Sequence, residues 1–326
     1  LNQPIDGIFA NGNMNATTGF SMREGTKSSD SYLANATLGY GFLQFDTRIM
    51  EKTRINWGVR AENFEQNLYS KTDNNDTVQV ESSKLDFLPS VNFIYSVNDA
   101  QNLRVSYSRT LNRPEFRELA PFAFYDFQTR YVVTGNPSLV RSTIDNFDAR
   151  YEWYPGKGQV LSVTGFYKNF TNPIEQATRE DVVTEYTFVN VPKAVDYGLE
   201  LEGRLLVGTL LGTPDHALWS KVTVFANYAL IRSRVTLNAT TASDSIRPLQ
   251  GQSPYVINAG VQYQNEESGT TVSAAFNQVG DRIFIVGSSQ EPSVWEKGRA
   301  VLDLSINQEV NKKLSLKFTA RDLLAP

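Results

Sequence analysis

The side chains best suited to bind a ligand are concentrated in one segment, between Leu111 and Ser142. Its arginines can hold carboxylates or phosphates through paired hydrogen bonds, and its aromatic rings can stack on sugars, iron chelates or peptides. A long loop also needs internal packing to be ordered, so the same rings could instead pack on one another. The candidate ligand-binding residues are Arg113, Phe116, Arg117, Phe122, Phe124, Tyr125, Phe127, Arg130 and Tyr131.

Catalytic and metal chemistry have few candidates. The chain has one His and no Cys, whereas transition-metal sites usually recruit several of them. His216 follows Asp215 in a turn, where a Ser–His–Asp arrangement would lack the pocket it needs. The acidic run Asp73 to Asp76 offers carboxylates for calcium, but no EF-hand spacing follows it. We therefore predict no enzyme activity, no catalytic residue, no metal site and no cofactor.

The composition of the chain limits the kinds of partner that we expect. Among 326 residues, 40% are hydrophobic, 12% aromatic and 20% charged, with a formal net charge of -4. No basic cluster interrupts this balance, so nucleic acid is not an expected partner. No run of about 18 apolar residues exists, which excludes a transmembrane helix. A membrane β-barrel remains compatible with this composition, because only every second strand residue faces lipid.

The elements flanking the candidate loop alternate between apolar and polar residues. In AVDYGLELEGRLLV, for example, Leu199, Leu201 and Leu205 alternate with Glu200 and Glu202. A period of two places successive side chains on opposite faces of a sheet. About twelve such strands follow one another, most of them at least about 9–11 residues long, the length that crosses a membrane in a barrel.

The polar face carries charged residues that a barrel would turn towards its lumen. They could line a transport path, or they could form cross-strand ion pairs and contacts to a plug. Ion pairing is the simpler interpretation. The predicted lumen-facing residues are Arg60, Glu62, Arg104, Arg150, Glu152, Glu200, Glu202, Arg204 and Asp303.

The connections between strands alternate in length. The short connections MEKT, VNDAQ, PGKG, NEESG and VNKK alternate with segments of about 16–30 residues, apart from one medium turn of about nine residues that contains Asp215. The polar segments 67–84 and 171–192 are predicted to be two of the long loops. Pro89, within the strand that contains LPSVNFIYSV, predicts a bulge. Short turns on one side and long loops on the other are typical of outer-membrane barrels. The sequence therefore predicts an all-β fold, a transmembrane antiparallel β-barrel. A soluble extracellular sandwich, with the apolar faces packed together, is the alternative.

The same alternation bears on domain organisation. If the long loops lie outside the cell, both the first and the last predicted strand place an end of the chain outside. Barrels of bacterial outer membranes usually begin and end in the periplasm. We therefore expect residues 1–326 to be a partial barrel domain, without an N-terminal plug, the early strands or the last strand.

Several motifs resemble, in their order along the chain, the C-terminal barrel of TonB-dependent outer-membrane receptors of the Bacteroidetes type. They are GVRAENF, LPSVNFIYSV, LRVSYSRTLNRPEFRELAPF, GNPSL, YGLELEG, SPYVINAGVQY, VGDRIFIVG and RDLL. The resemblance spans nearly the whole chain. It implies a barrel of about 22 strands plugged by an N-terminal domain, with this chain at about strands ten to twenty-one. The ending RDLLAP departs from the Asn-containing ending that the family leads us to expect.

The resemblance implies active import of a scarce nutrient, such as an iron chelate, glycan or peptide, across the outer membrane of a Gram-negative bacterium. Outer-membrane lipid and TonB, acting through the plug, are the implied partners, and a surface lipoprotein accompanies some family members. A passive porin and a barrel that exports or anchors proteins are alternatives with the same architecture. A plug with a TonB-binding segment in the parent gene would distinguish import from both.

Overall fold

The fold is known from a computed structural model. It describes residues 30–325 except 73, 128–129, 180–184, 238–245 and 289–290, and, before them, residues 7, 10–14, 19, 21, 25 and 27. No helix among these residues is long and apolar enough to cross a membrane, a finding that concerns helices alone.

Strands make up most of the described chain. The helical elements whose bounds the structure describes are single turns: α1 (Phe116–Leu119), α2 (Val207–Leu210) and the 3₁₀ turns Asn11–Asn13 and Trp219–Lys221. The strands are β1 (Tyr32–Met50), β2 (Thr53–Lys71), β3 (Thr77–Asn98), β4 (Gln101–Asn112), β5 (Ala123–Asp126), β6 (Tyr131–Thr134), β7 (Ser142–Trp153), β8 (Val160–Thr171), β9 (Ile174–Thr178), β10 (Glu185–Asn190), β11 (Lys193–Leu206), β12 (Val222–Thr236), β13 (Ile246–Arg247), β14 (Tyr255–Asn265), β15 (Thr270–Val279), β16 (Arg282–Ile285), β17 (Val294–Glu296), β18 (Ala300–Asn311) and β19 (Leu314–Ala320).

Twelve of these strands form one continuous antiparallel sheet in the order β1-β2-β3-β4-β7-β8-β11-β12-β14-β15-β18-β19. Each strand pairs with the next long strand of the chain, which is the up-and-down order of an outer-membrane barrel wall. The short strand β13 adds to β12. Two small sheets, β5-β6-β10-β9 and β16-β17, lie in the connections. The predicted all-β barrel architecture and its strand number are confirmed.

Cross-strand pairing keeps the two faces of the sheet chemically separate. Leu201 pairs with Val163 and Tyr228, whereas Glu200 pairs with Thr164 and Ala229. We call these the apolar face and the polar face. Leu199 and Leu201 are 54% and 47% exposed, so no second sheet covers the apolar face in the described part of the chain. The alternative of a sandwich with a dry core between two sheets is therefore wrong.

Connection lengths alternate from one edge of the sheet to the other. One edge carries 51–52, 99–100, 154–159, 207–221, 266–269 and 312–313; the other carries 72–76, 113–141, 172–192, 237–254 and 280–299. The connection 72–76 is shorter than predicted, because β2 and β3 continue as a hairpin across 67–84, which the polar composition suggested was loop. Polar residues on both faces of that hairpin are compatible with water, and ladder hydrogen bonds hold the strands together.

Two further local predictions are corrected. Segment 171–192 was predicted as loop but contains β9 and β10, which pair with each other. Pro89 was predicted to cause a bulge, yet it pairs with Val59 in regular register. The ladder between β3 and β4 begins at Ser90, so Pro89 has a paired strand on one side only. Proline lacks a backbone N–H. It is tolerated at such a position because no strand is paired on one side, so no ladder there requires that donor.

Candidate ligand-binding site

The candidate loop, residues 113–141, folds back onto the polar face of the sheet. Leu119, Ala120 and Leu139 from the loop form a buried cluster with Leu68 of β2, which is fully buried. Leu68 belongs to the polar face, two positions from Gln66, whose side-chain amide donates to the carbonyl of Pro114 at 3.0 Å. The loop therefore covers the inside of the wall near its long-loop edge.

Ion pairs at both ends of the loop fix this position. The guanidinium of Arg113 binds the Glu62 carboxylate at 2.7 Å and lies 4.4 Å from the centre of the Phe64 ring. Arg141 binds Asp86 at 2.6 Å, and Asp86 also lies 3.6 Å from Arg113. The two arginines flanking the loop thus meet acidic groups on adjacent strands, β2 and β3. We call these four charged residues the loop latch.

Most of the candidate aromatic residues pack within the loop region. Phe116 and Phe122 contact the cluster around Leu68, and Phe124 contacts a second buried cluster. The Arg117 guanidinium lies 3.6 Å from the centre of the Phe124 ring. For these residues the structure shows the packing that the sequence allowed as an alternative.

Tyr131 belongs to the same packed part of the loop. Its ring lies 4.2 Å from that of Tyr186 in β10, and Tyr186 is 2% exposed. Burial, and then the hydrogen bond with Tyr131, raise the pKa of Tyr186, so its hydroxyl stays neutral at physiological pH. Burial likewise raises the pKa of Glu118 at the end of α1, although its hydrogen bond from the Glu115 backbone opposes the shift.

A smaller part of the candidate set remains available to a ligand. Tyr125 is 48% and Phe127 84% exposed, and their rings meet edge to face with centroids 5.3 Å apart. Arg130 follows closely and adopts a positive φ of 63°. We call Tyr125 and Phe127 the tip pair. The role of the tip pair and Arg130 as ligand contacts stays a prediction.

The predicted lumen-facing charges lie together on the polar face. Glu152 accepts from Arg104 at 2.8 Å and from Arg150 at 2.9 Å, and Arg150 reaches Glu202 at 2.6 Å. Arg60 binds Glu62 at 2.6 Å. The contacts from Arg104 to Glu202 form a chain of alternating charges that runs from β4 through β7 to β11, whereas the Arg60–Glu62 pair lies within β2.

The remaining predicted lumen charges have more varied surroundings. Glu200 lines a polar groove with Arg104, Asp148 and Arg150, together with hydroxyl and amide groups. Asp303 accepts the backbone N–H of Asp322 at 2.9 Å. Arg204 shares the polar face of β11 with Glu200 through the strand register. Whether substrate passes along this face stays a prediction.

One set of contacts was not found by sequence reasoning. The carboxylate of Glu175 in β9 binds Arg247 of β13 through two contacts, at 2.6 and 2.9 Å, and is 1% exposed. It also accepts the backbone N–H of Gln250 at 2.8 Å, and the Gln250 side chain donates to the carbonyl of Phe284 at 2.5 Å. Three long connections are thereby joined by what we call the loop clamp. Glu175 lies 72 and 75 positions from Arg247 and Gln250, and Gln250 lies 34 positions from Phe284. No local periodicity links these residues, so the sequence carries no signal for the loop clamp.

The side chains considered for catalysis and metal binding have other surroundings. The Nδ1 atom of His216 lies 3.2 and 3.4 Å from the backbone N–H groups of Leu218 and Trp219, so it caps a turn. No group of three or more His, Cys, Asp or Glu side chains among the described residues could hold a metal ion. Asp73, the first residue of the acidic run considered for calcium, lies outside the described residues.

Known proteins share this architecture. The family model described as TonB dependent receptor-like, beta-barrel matches residues 4–323. No curated protein sequence matches the chain significantly. Solved structures provide many matches, 107 chains in all.

Three similar structures illustrate the likeness. The ferric-catecholate import receptor Fiu of E. coli K12 superposes with a TM-score of 0.62 at 14% identity, covering 90% of this chain and 41% of that one. The siderophore receptor PirA of Acinetobacter baumannii gives 0.58 at 14%, covering 89% and 42%. The ferric enterobactin receptor PfeA of Pseudomonas aeruginosa, in a variant bound to enterobactin, gives 0.54 at 14%, covering 90% and 49%.

At these identities the structures support the fold, and the chain spans less than half the length of each. The more specific prediction of a Bacteroidetes-type receptor stays a prediction. The match over residues 4–323 decides the family. The chain belongs to the TonB-dependent receptors as part of their β-barrel, which lies in the outer membrane of Gram-negative bacteria.

Proposed function

We propose that the parent protein imports an iron chelate across the outer membrane, driven by TonB. The observation that supports this most strongly is the family match over residues 4–323. The similar solved structures include receptors named for ferric catecholate, ferric enterobactin and siderophores. Among the nutrients that the sequence left open, this favours an iron chelate over a glycan or a peptide.

The geometry of the chain supplies a mechanism in which loop and wall have separate tasks. The loop latch fixes the base of the loop by charge pairing between Arg113 and Glu62 and between Arg141 and Asp86. The tip pair remains exposed at the far end of the loop. Aromatic rings held on a fixed base can stack on a flat chelating group at low entropic cost.

The polar face then provides a path lined by compensated charges. Arginines such as Arg104 and Arg150 are neutralised by Glu152 and Glu202, so the wall offers hydrogen bonds without a strong net field. A charged chelate held by strong uncompensated charges would leave slowly. Movement of a plug, coupled to TonB, would open this path in the parent protein.

The function is tested by deleting the parent gene and measuring uptake of radiolabelled iron. We expect cells lacking the gene to lose uptake of at least one ferric siderophore, and cells lacking TonB to lose it equally. Restoring the gene should restore uptake only when TonB is present. Uptake that persists without TonB would indicate a passive porin. Normal iron uptake with lost growth on a glycan or peptide would replace the iron chelate by that nutrient.

The tip pair should affect affinity directly. In the full-length receptor, Tyr125→Ala combined with Phe127→Ala should weaken ferric-siderophore binding about tenfold, the equivalent of about 1.4 kcal/mol in lost stacking. Binding is measured by quenching of intrinsic fluorescence in purified receptor. Phe127→Tyr, which keeps a ring at the same position, is the matched control and should bind like the native protein.

The tip-pair prediction has its own contrary outcome. If the double alanine variant binds the chelate with native affinity while uptake still depends on the gene, the proposed import survives. The tip pair is then excluded as a ligand contact.

A further inference from the structure

Charged residues on the apolar face have a restricted distribution. Across β4, β7, β8, β11, β12 and β14, every charged side chain on this face lies at the edge that carries the long connections. The rest of the face is aliphatic, aromatic or uncharged polar over these strands. The five charged residues are Arg109, Asp145, Lys193, Arg232 and Arg234.

An aromatic row marks where the charges begin. Tyr107, Phe147, Tyr167 and Tyr197 are successive cross-strand partners on the apolar face. The first two rings lie 4.9 Å apart, and those of Phe147 and Tyr167 lie 6.4 Å apart. Tyrosines are enriched where a barrel meets the membrane–water interface. The charges therefore lie at the depth of lipid headgroups in the outer leaflet.

The charges at this depth are mostly basic. The single acidic group, Asp145, is bound by Arg109 at 2.8 Å and accepts the Tyr107 hydroxyl at 2.8 Å. Lys193, Arg232 and Arg234 are exposed and form no ion pair with any residue that the structure describes. Within the described part of the chain, these three positive charges are therefore not neutralised and are accessible to an anionic partner.

Strand register brings these three cations together. Arg232 pairs with Tyr197 and Arg234 with Val195, and Lys193 lies two residues before Val195 on the same face. Same-face neighbours in such pairs lie about 5–8 Å apart, so one phosphate group can meet more than one cation. We call Lys193, Arg232 and Arg234 the basic rim.

Apolar surface adjoins the basic rim on the membrane side. A groove lined by Tyr197, Leu199, Leu230, Arg232 and Tyr255 passes below it. Leu199 and Leu230 are 54% and 48% exposed. Cations above exposed aliphatic surface match a lipid, whose phosphate and acyl chains are joined in this order. Free phosphate, by contrast, would contact only the cations and would make no use of the exposed aliphatic surface.

We propose that the basic rim and this groove form a binding site for a lipid of the outer leaflet with a phosphorylated headgroup. The headgroup phosphate lies between Lys193, Arg232 and Arg234, and an acyl chain follows Leu199 and Leu230. The site lies on the face opposite the candidate loop. It is therefore independent of the substrate and of the proposed import.

The test uses the purified, delipidated full-length receptor and lipid A that carries both its phosphates. Binding is followed by native mass spectrometry as lipid is titrated. We expect the triple variant Lys193→Gln, Arg232→Gln and Arg234→Gln to bind at least about tenfold more weakly, since each basic residue near anionic lipid contributes attraction. Lys157→Gln is the control. It removes one positive charge in the connection between β7 and β8, at the opposite edge of the sheet, and should leave binding unchanged.

A second measurement keeps the test decisive if the triple variant fails to fold, which heat-dependent gel mobility would reveal. The native receptor should bind enzymatically dephosphorylated lipid A at least about tenfold more weakly than the phosphorylated form. Equal binding of the two lipids overturns the proposal, as does native affinity in a folded triple variant. Complete displacement of the lipid by inorganic phosphate would show an ion site and overturn it too.

Discussion

Replacing Glu175 by alanine is expected to loosen three outer connections at once, at a cost of about 3–5 kcal/mol. The carboxylate is 1% exposed and holds both terminal nitrogens of Arg247, whose side chain is 10% exposed. Its removal leaves a buried guanidinium without a counter-charge and the Gln250 backbone N–H without its acceptor. The substitution thus removes one buried carboxylate and leaves both of its partners, Arg247 and Gln250, without their acceptor.

The measurement is hydrogen–deuterium exchange of the full-length receptor. Peptides covering 172–192, 246–253 and 282–287 should exchange faster in the Glu175→Ala variant, and the strands of the sheet should be unaffected. Glu185→Ala, which breaks a more exposed pair with Arg179 at 3.1 Å, is the matched control and should cost at most about 1 kcal/mol.

A compensating variant distinguishes charge from shape. Glu175→Leu combined with Arg247→Met removes both charges and should recover much of the lost protection, because a buried pair can be replaced by apolar groups of similar volume. Unchanged exchange in the single alanine variant would contradict the loop clamp as the element that joins the three connections.

The wall of the barrel could be predicted because its signals are local. In β11, Leu199, Glu200, Leu201 and Glu202 alternate, and the structure places them on opposite faces in the order that alternation requires. Connection lengths then supplied the antiparallel order. Neither signal depends on distant contacts, since strand geometry alone fixes which side chains share a face.

The outer connections could not be predicted in the same way, because distant residues decide them. Composition assigned 171–192 to loop, yet β9 and β10 form there and are tied through Glu175 to Arg247, 72 residues away. Composition also ended β2 early, although its hairpin with β3 continues to Lys71. Polar residues satisfy strands in water as readily as loops, so polarity alone was a poor guide.

In the candidate site, too, local features could be predicted and the effects of distant contacts could not. Sequence reasoning placed aromatic residues in the loop but could not separate Phe116 and Phe122, which pack on Leu68, from the exposed tip pair. All four are aromatic residues in one irregular segment. Only the fold of the loop onto β2 decides which rings are buried. The structure therefore reduces the residues predicted to contact a ligand to the tip pair and Arg130.

Gly198→Ala is expected to be the most damaging change in the barrel wall itself, with a cost of about 3 kcal/mol or more. A Cβ at this position of β11 would overlap the carbonyl oxygen of Leu230 in the neighbouring strand and lie 2.9 Å from the Phe166 ring. The oxygen belongs to the backbone of the ladder between β11 and β12, so it cannot move aside as a flexible side chain would. The methyl group must instead force these two strands apart at Leu199 and Ile231, where the ladder is regular.

Gly165→Ala is the matched control because it makes the same change in the adjacent strand β8. A Cβ there meets only the Leu199 side chain, at 3.7 Å, which is an ordinary contact. Since glycine within a strand costs about 0.5–1 kcal/mol relative to alanine, this variant should be neutral or slightly stabilising. Folded receptor in outer membranes, scored by heat-dependent gel mobility, should fall for Gly198→Ala and stay native for Gly165→Ala. Equal losses in both would mean that any added methyl group disturbs these strands, and equal tolerance would mean that β11 and β12 can separate locally without weakening the wall.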